Sequence, residues 1–192
     1  MFNELPRSPI MKIIQAIPLV ILTLTSVLVS AETLEVDKDK SRIHIDAKAT
    51  GHNFTGTLEK YTVTVQGDAS TIKPESFNLE WSFKDLKTDD DKRDKEMLAW
   101  LGGGNPKGKF EFTKSWVDDE GIEHAMGTLT IKGVAKTISF PFTTKKEDDW
   151  VTIDGKVNMN YEDFRLPLIR AMVVMTVDPK LTVRFHIVGQ IK

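Results

Sequence analysis

A chain of 192 residues with 28 acidic and 26 basic side chains carries a formal charge of −2, and its length suits one well-cored domain rather than two. So mild an acidic balance excludes a nucleic-acid partner, whose phosphates need a concentrated basic surface. With no cysteine, disulfides, a thiol nucleophile and a lipid-modified cysteine are excluded as well.

The first predicted element is the apolar run Ile13 to Val29, preceded by Arg7 and Lys12 and ending in Val29-Ser30-Ala31. A positive flank, an apolar stretch and small residues at its end predict a secretory signal peptide over residues 1–31, cleaved before Glu32. The run is short for a membrane-spanning anchor. Met11 offers a second translation start just ahead of it. Removing 31 residues from 192 leaves a domain over 32–192 with a net charge of −3, expected in the periplasm or secreted, with no stable membrane anchor.

From Glu32 onward a period of two dominates. Ile43, Ile45 and Ala47 alternate with polar residues, then Tyr61, Val63 and Val65, then Phe77, Leu79, Trp81 and Phe83. After an interruption the pattern resumes at Phe110 and Phe112, at Leu129 and Ile131, and at Ile138, Phe140 and Phe142. It continues through Val151, Ile153, Val157 and Met159, and ends in the long run Leu181, Val183, Phe185, Ile187, Ile191. Each is a strand with one buried and one wet face. Turn signals separate them at Gly67-Asp68, Asp119-Glu120-Gly121, Lys132-Gly133, Asp148-Asp149 and Asp178-Pro179, which implies antiparallel hairpins.

The interruption, Lys92 to Leu101 (KRDKEMLAWL), predicts a single short helix. Asp89, Asp90 and Asp91 suit a helix N-terminus and Gly102-Gly103-Gly104 stops it. Met97, Leu98 and Leu101 form its apolar face, with Trp100 beside them. Ten residues are marginal alone, so that face must dock, and a barrel mouth is the expected partner. Roughly eight half-apolar strands with one helix between them cannot be covered by a helical layer, so the sheet closes on itself. The fold class is therefore all-β, an up-and-down antiparallel barrel rather than a sandwich. Small residues at Ala47, Gly127, Gly155 and Gly189 are expected to leave room inside, so that leucine at Gly127 or Gly155 would fill space and keep the fold.

No catalytic motif emerges. His44, His124 and His186 show no metal-ligand spacing, and a metal site is not expected. His52 differs in sitting in a glycine-bounded loop beside Asn53 and Phe54, where a ligand could touch it. The carboxylates at Asp89–Asp91 and Glu147–Asp149 read as helix-start and turn charges. Lys92, Arg93 and Lys95 make one compact basic cluster, either a solvated helix face or a pole for a phosphate or carboxylate head group.

Five segments together resemble the YceI-like family: GHNFTG (51–56), KRDKEML (92–98), FEFTKS (110–115), GTLTIKGVAKTISFPF (127–142) and TVDPKLTVRFHIVG (176–189). Glu96, where the family often has His, and Asn105, where it often has an aromatic, depart from the pattern. The resemblance implies an extended, lipocalin-like eight-stranded barrel with an inserted helix, exported in bacteria, its cavity associated with isoprenoid or other amphiphilic lipids. On that reading Phe54, Phe77, Trp81, Phe83, Phe110 and Phe112 would wall the cavity together with Phe140, Phe142 and Phe185. Met97, Leu98 and Leu101 would form its lid, and Arg93 and His52 would meet the head group. The protein would be a binding or carrier protein with no cofactor beyond the bound lipid. The same aromatics could instead fill the barrel, giving a stress-related binding module without a long-chain ligand. The oligomeric state, monomer or dimer, stays open.

Overall fold

The computed structural model describes residues 31–68, 70–171 and 175–192, so the signal peptide predicted over 1–31 lies, apart from Ala31, outside the described residues. In chain order the first strands are β1 (Glu32–Val36), β2 (Arg42–Ala49), β3 (His52–Leu58), β4 (Tyr61–Asp68) and β5 (Lys73–Ser82). A 3₁₀ turn at Phe83–Asp85 leads to β6 (Leu86–Lys87) and to the helix α1 (Asp91–Trp100). Then come β7 (Lys107–Val117), β8 (Glu123–Ile131), β9 (Val134–Glu147) and β10 (Trp150–Asn160). A second 3₁₀ turn (Tyr161–Phe164) and the short pair β11 (Arg170–Ala171) and β12 (Met175–Thr176) precede β13 (Lys180–Ile191).

The strands form a closed eight-stranded antiparallel barrel because three of them are bent. β1 and β2 are halves of one strand, as are β3 and β4, and β5 and β6; each first half pairs with the matching half of its neighbour. From there β5, β7, β8, β9, β10 and β13 follow in chain order as a meander. β13 closes the ring on both halves of the first strand, on β2 from Thr182↔Asp46 to His186↔Arg42 and on β1 from Gly189↔Val36 to Ile191↔Leu34.

Where β13 passes from β2 to β1 its ladder is interrupted, and Ser41 fills the gap. The Val188 amide donates to Ser41 Oγ at 3.0 Å, the Ser41 hydroxyl donates to the Asp37 carbonyl at 2.7 Å, and the Asp37 amide donates to the Val188 carbonyl at 2.8 Å. Ser41 is 3% exposed, so these bonds satisfy groups that water does not reach. The β8–β9 turn has Lys132 at φ 49° and Gly133 at φ 80°, the two left-handed residues of a tight hairpin whose twist matches its strands.

Alternation reads through β2, β4, β8, β9, β10 and β13 as the sequence predicts, and fails in two places. Phe83 ends the run of β5 in the 3₁₀ turn rather than in the strand. β7 carries a bulge between Phe112 and Lys114, after which Trp116 and Val117 turn to solvent.

Candidate functional site

The barrel interior has two unequal halves. The half containing Val65, Phe142, Val151, Ile153 and Ile187 is packed, with all five buried. At its edge lies a shallow recess of about 50 Å³, bordered by Val65, Val151 and Ile153 together with Glu32 and Lys73. The other half, under α1, encloses a cavity of about 610 Å³, well within the range of small-molecule sites. The two spaces share no lining residue.

Four phenylalanines from four strands separate the halves. Ring centroids run Phe77 to Phe110 at 6.1 Å, Phe110 to Phe140 at 5.6 Å, Phe140 to Phe185 at 5.7 Å and Phe185 back to Phe77 at 6.4 Å, a closed circuit across the lumen. The glycines expected to leave room turn out to be what seats these rings. A Cβ on Gly127 would lie 2.3 Å from Phe110 Cζ, and one on Gly155 would lie 2.1 Å from Phe185 Cζ. Gly189 is likewise closed, with Leu34 Cγ at 2.6 Å. Leucine at Gly127 or Gly155 would therefore collide rather than fill space. Of the four small residues only Ala47 borders the cavity.

The helix forms the roof. Asp90 caps it, accepting from the Lys92 and Arg93 amides at 3.0 Å each; these backbone bonds, that from Arg93 foremost, hold its carboxyl below the usual range. Gly102 and Gly103, both with positive φ, turn back so that their amides meet the Ala99 and Leu98 carbonyls. Leu101, just past the last turn, is 1% exposed and drives the docking. Trp100 Nε1 donates to the Pro167 carbonyl at 2.9 Å, and its ring meets Tyr161 edge-on at 5.2 Å. The Tyr161 hydroxyl donates to the Val177 carbonyl and accepts from the Ile169 amide, so one phenol ties the helix to the segment opposite it. Burial raises the pKa of that phenol.

At the other end of α1 the Arg93-Asp94 pair clasps the chain leading into the helix. The buried carboxylate of Asp94 accepts from the Thr88 amide and hydroxyl at 3.1 and 2.7 Å. The same hydroxyl accepts from Arg93 Nε at 2.8 Å, while Arg93 Nη2 donates to the Thr88 carbonyl at 2.5 Å. The guanidinium lies over the Phe54 ring, 4.3 Å from its centroid.

The predicted site residues therefore divide. Phe54, Phe77, Trp81, Phe83, Phe110, Phe140 and Phe185 line the cavity wall and floor, Met97 and Leu101 line its roof, and His52 and Arg93 its rim. Leu98, Phe112 and Phe142 do not border it. Leu98 follows Met97 by a rotation of about 100° around the helix, which carries it off the docked face. Phe142 lies below the phenylalanine layer in the packed half and Phe112 sits beside the bulge. His52 opens β3 rather than occupying a loop, exposed, with its ring 6.1 Å from Phe54. Arg93 spends on Thr88 the edge that would grip an anion bidentately, leaving Nη1 as its one nitrogen without a protein partner among the described residues. Lys92 pairs with Glu96 at 3.9 Å.

Trp100, Tyr161 and Leu166 complete the roof and far wall, and Thr88 with Asp94 holds the helix entry. Tyr161 and Leu166 lie in a stretch without periodicity and gave no signal. Asp94 stood in plain view beside Arg93, but an acidic residue in a first helical turn reads equally well as a solvated dipole partner. Among the described residues no three His, Asp or Glu side chains come together as a metal site.

A closed up-and-down barrel with an apolar blind cavity under a docked helix is a lipocalin-type binding fold. The chain belongs to the YceI-like family, whose domain matches residues 34–189. No curated protein matches the sequence. Among solved structures, BcnA of Burkholderia cenocepacia superposes with a TM-score of 0.71 at 20% identity, covering 81% of this chain and all of its own. A polyisoprenoid binding domain from Saccharophagus degradans gives 0.62 at 12% identity, covering 85% and 100%. The YCEI protein of Campylobacter jejuni gives 0.57 at 16%, covering 71% and 84%. These identities establish a shared fold.

Proposed function

We propose that this protein binds a long-chain amphiphilic lipid, of isoprenoid type, with its tail in the cavity and its polar end at the rim formed by His52, Lys92, Arg93 and Glu96. The observation that carries the reading is the 610 Å³ apolar space under α1. The similar fold of the Saccharophagus degradans protein, a polyisoprenoid binding domain, supports the ligand class. Burial supplies the affinity: about 0.8 kcal/mol per methylene makes each isoprene unit worth several kcal/mol. Micromolar binding needs about −8 kcal/mol net of association costs, so a few buried units suffice. The head group then orients the ligand more than it holds it.

Protein purified without detergent should release a long-chain amphiphile on solvent extraction, identified by mass spectrometry, or take one up when offered. Folded protein that does neither would be a filled barrel without a long-chain ligand. We further propose that the chain is exported and cleaved before Glu32, on the strength of the Lys12-to-Ala31 pattern. The intact mass of the protein from the periplasmic or culture fraction should begin at Glu32. Full-length chain held in the inner membrane would refute this.

A further inference from the structure

We propose that the protein selects its ligand by tail length, accepting about 20 carbon atoms, and that the Phe77–Phe110–Phe140–Phe185 layer is what sets the limit. The inference rests on the lipid-binding reading above and adds to it a measure of the ligand.

The capacity follows from volume. At roughly 30 Å³ for each small heavy-atom group, the share of a water molecule in the liquid, 610 Å³ holds about 20 such groups at most, the polar end at the rim included. That is the carbon content of four isoprene units.

The limit follows from the layer. Its centroids stand 5.6 to 6.4 Å apart around the circuit, so the middle lies within roughly 4.5 Å of at least two ring centroids. A tail carbon needs about 3.5–4.0 Å from every carbon it passes. Such a circuit leaves a tail almost no clearance unless a ring swings away. Phe110 and Phe185 cannot swing toward the wall, because they already lie against the backbone of Gly127 and Gly155. Phe140 is 8% exposed and flanked by both. Beyond the layer the interior is packed, with Phe142, Val151, Ile153 and Ile187 all buried. A longer tail must leave its excess at the rim.

The test is a length series on the full domain. Linear fatty acids and prenyl alcohols of 10 to 40 carbons are competed against a fluorescent fatty-acid probe. For the intact protein, affinity should rise severalfold for each added pair of carbons and stop rising at about 20. Affinity that keeps climbing to 30 or 40 carbons would overturn the length limit while leaving lipid binding in place. No binding at any length by folded protein would overturn the lipid reading itself, and the limit with it. Phe185→Ala opens the floor above Gly155 and should move the plateau to longer tails; Phe77→Leu does so with less loss of packing. Phe142→Leu, which thins the packed half, should lower stability with the plateau unmoved. A plateau unchanged in folded Phe185→Ala and Phe77→Leu would show that the layer is not the stop.

Discussion

Gly155 and Phe185 face each other across β10 and β13 and act as one shape. A methyl group at Gly155 has nowhere to go but into the ring, so Gly155→Ala should destabilise the fold by about 1–3 kcal/mol, the usual cost of overpacking. A lower denaturation midpoint at unchanged slope would record it. In the sequence this glycine was visible but its meaning was not. A small residue on an inward strand position looks the same whether it borders a void or receives a neighbour's ring. The choice is made by the rotamer of a residue thirty positions away. Ser41 is a second such case, a polar residue between two strands that sequence reading passes over. Ser41→Ala leaves the buried Val188 amide without its acceptor, and a loss of about 1–3 kcal/mol is expected.

The helix was legible in outline. Its bounds follow from three aspartates and three glycines, and the structure places it at Asp91–Trp100, one residue earlier than the sequence suggests. Its docked face was less legible, since Met97, Leu98, Trp100 and Leu101, four large apolar residues in five positions, leave the rotation open; Trp100 faces the cavity and Leu98 does not. Leu101→Asp would set a carboxylate in the most enclosed contact of the roof, at a cost of several kcal/mol unless the helix undocks. Melting temperature and retained lipid should fall together. Acid should loosen the same roof. The Asp90 carboxyl is held below the usual range by the amides it caps, so its contribution is full above the ordinary aspartate pKa near 4 and is lost as pH falls through the lower folded value. Asp90→Asn keeps a good cap without the charge. Its lipid retention should therefore depend less on pH than that of the parent between pH 5 and 2, read by probe displacement along the titration.

The eleven strand segments of the barrel sheet reduce to eight because three strands bend, and counting faces found the eight while the bends stayed hidden. Layer counting works because an apolar face must be covered whatever route the chain takes. Bends and bulges are set by a few residues with no period of their own, as at Asp37–Ser41 and Thr113. Tyr161, Leu166, Ile169, Arg170, Thr176 and Val177 escaped for the same reason, though all six border the cavity. The seam between β13 and the first strand has one more effect, on the order of events in folding. Leu34 and Ile191, paired across it, come from opposite ends of the domain, and their meeting bears nearly the whole loop-closure entropy of the chain. Such long-range pairing is slow. It also cannot begin until β13, the last of the eight strands to be made, has left the ribosome. For an exported chain, as proposed above, that delay keeps the barrel unsealed while synthesis runs: the first strand lacks its partner on one side, and the chain stays threadable until its final strand exists.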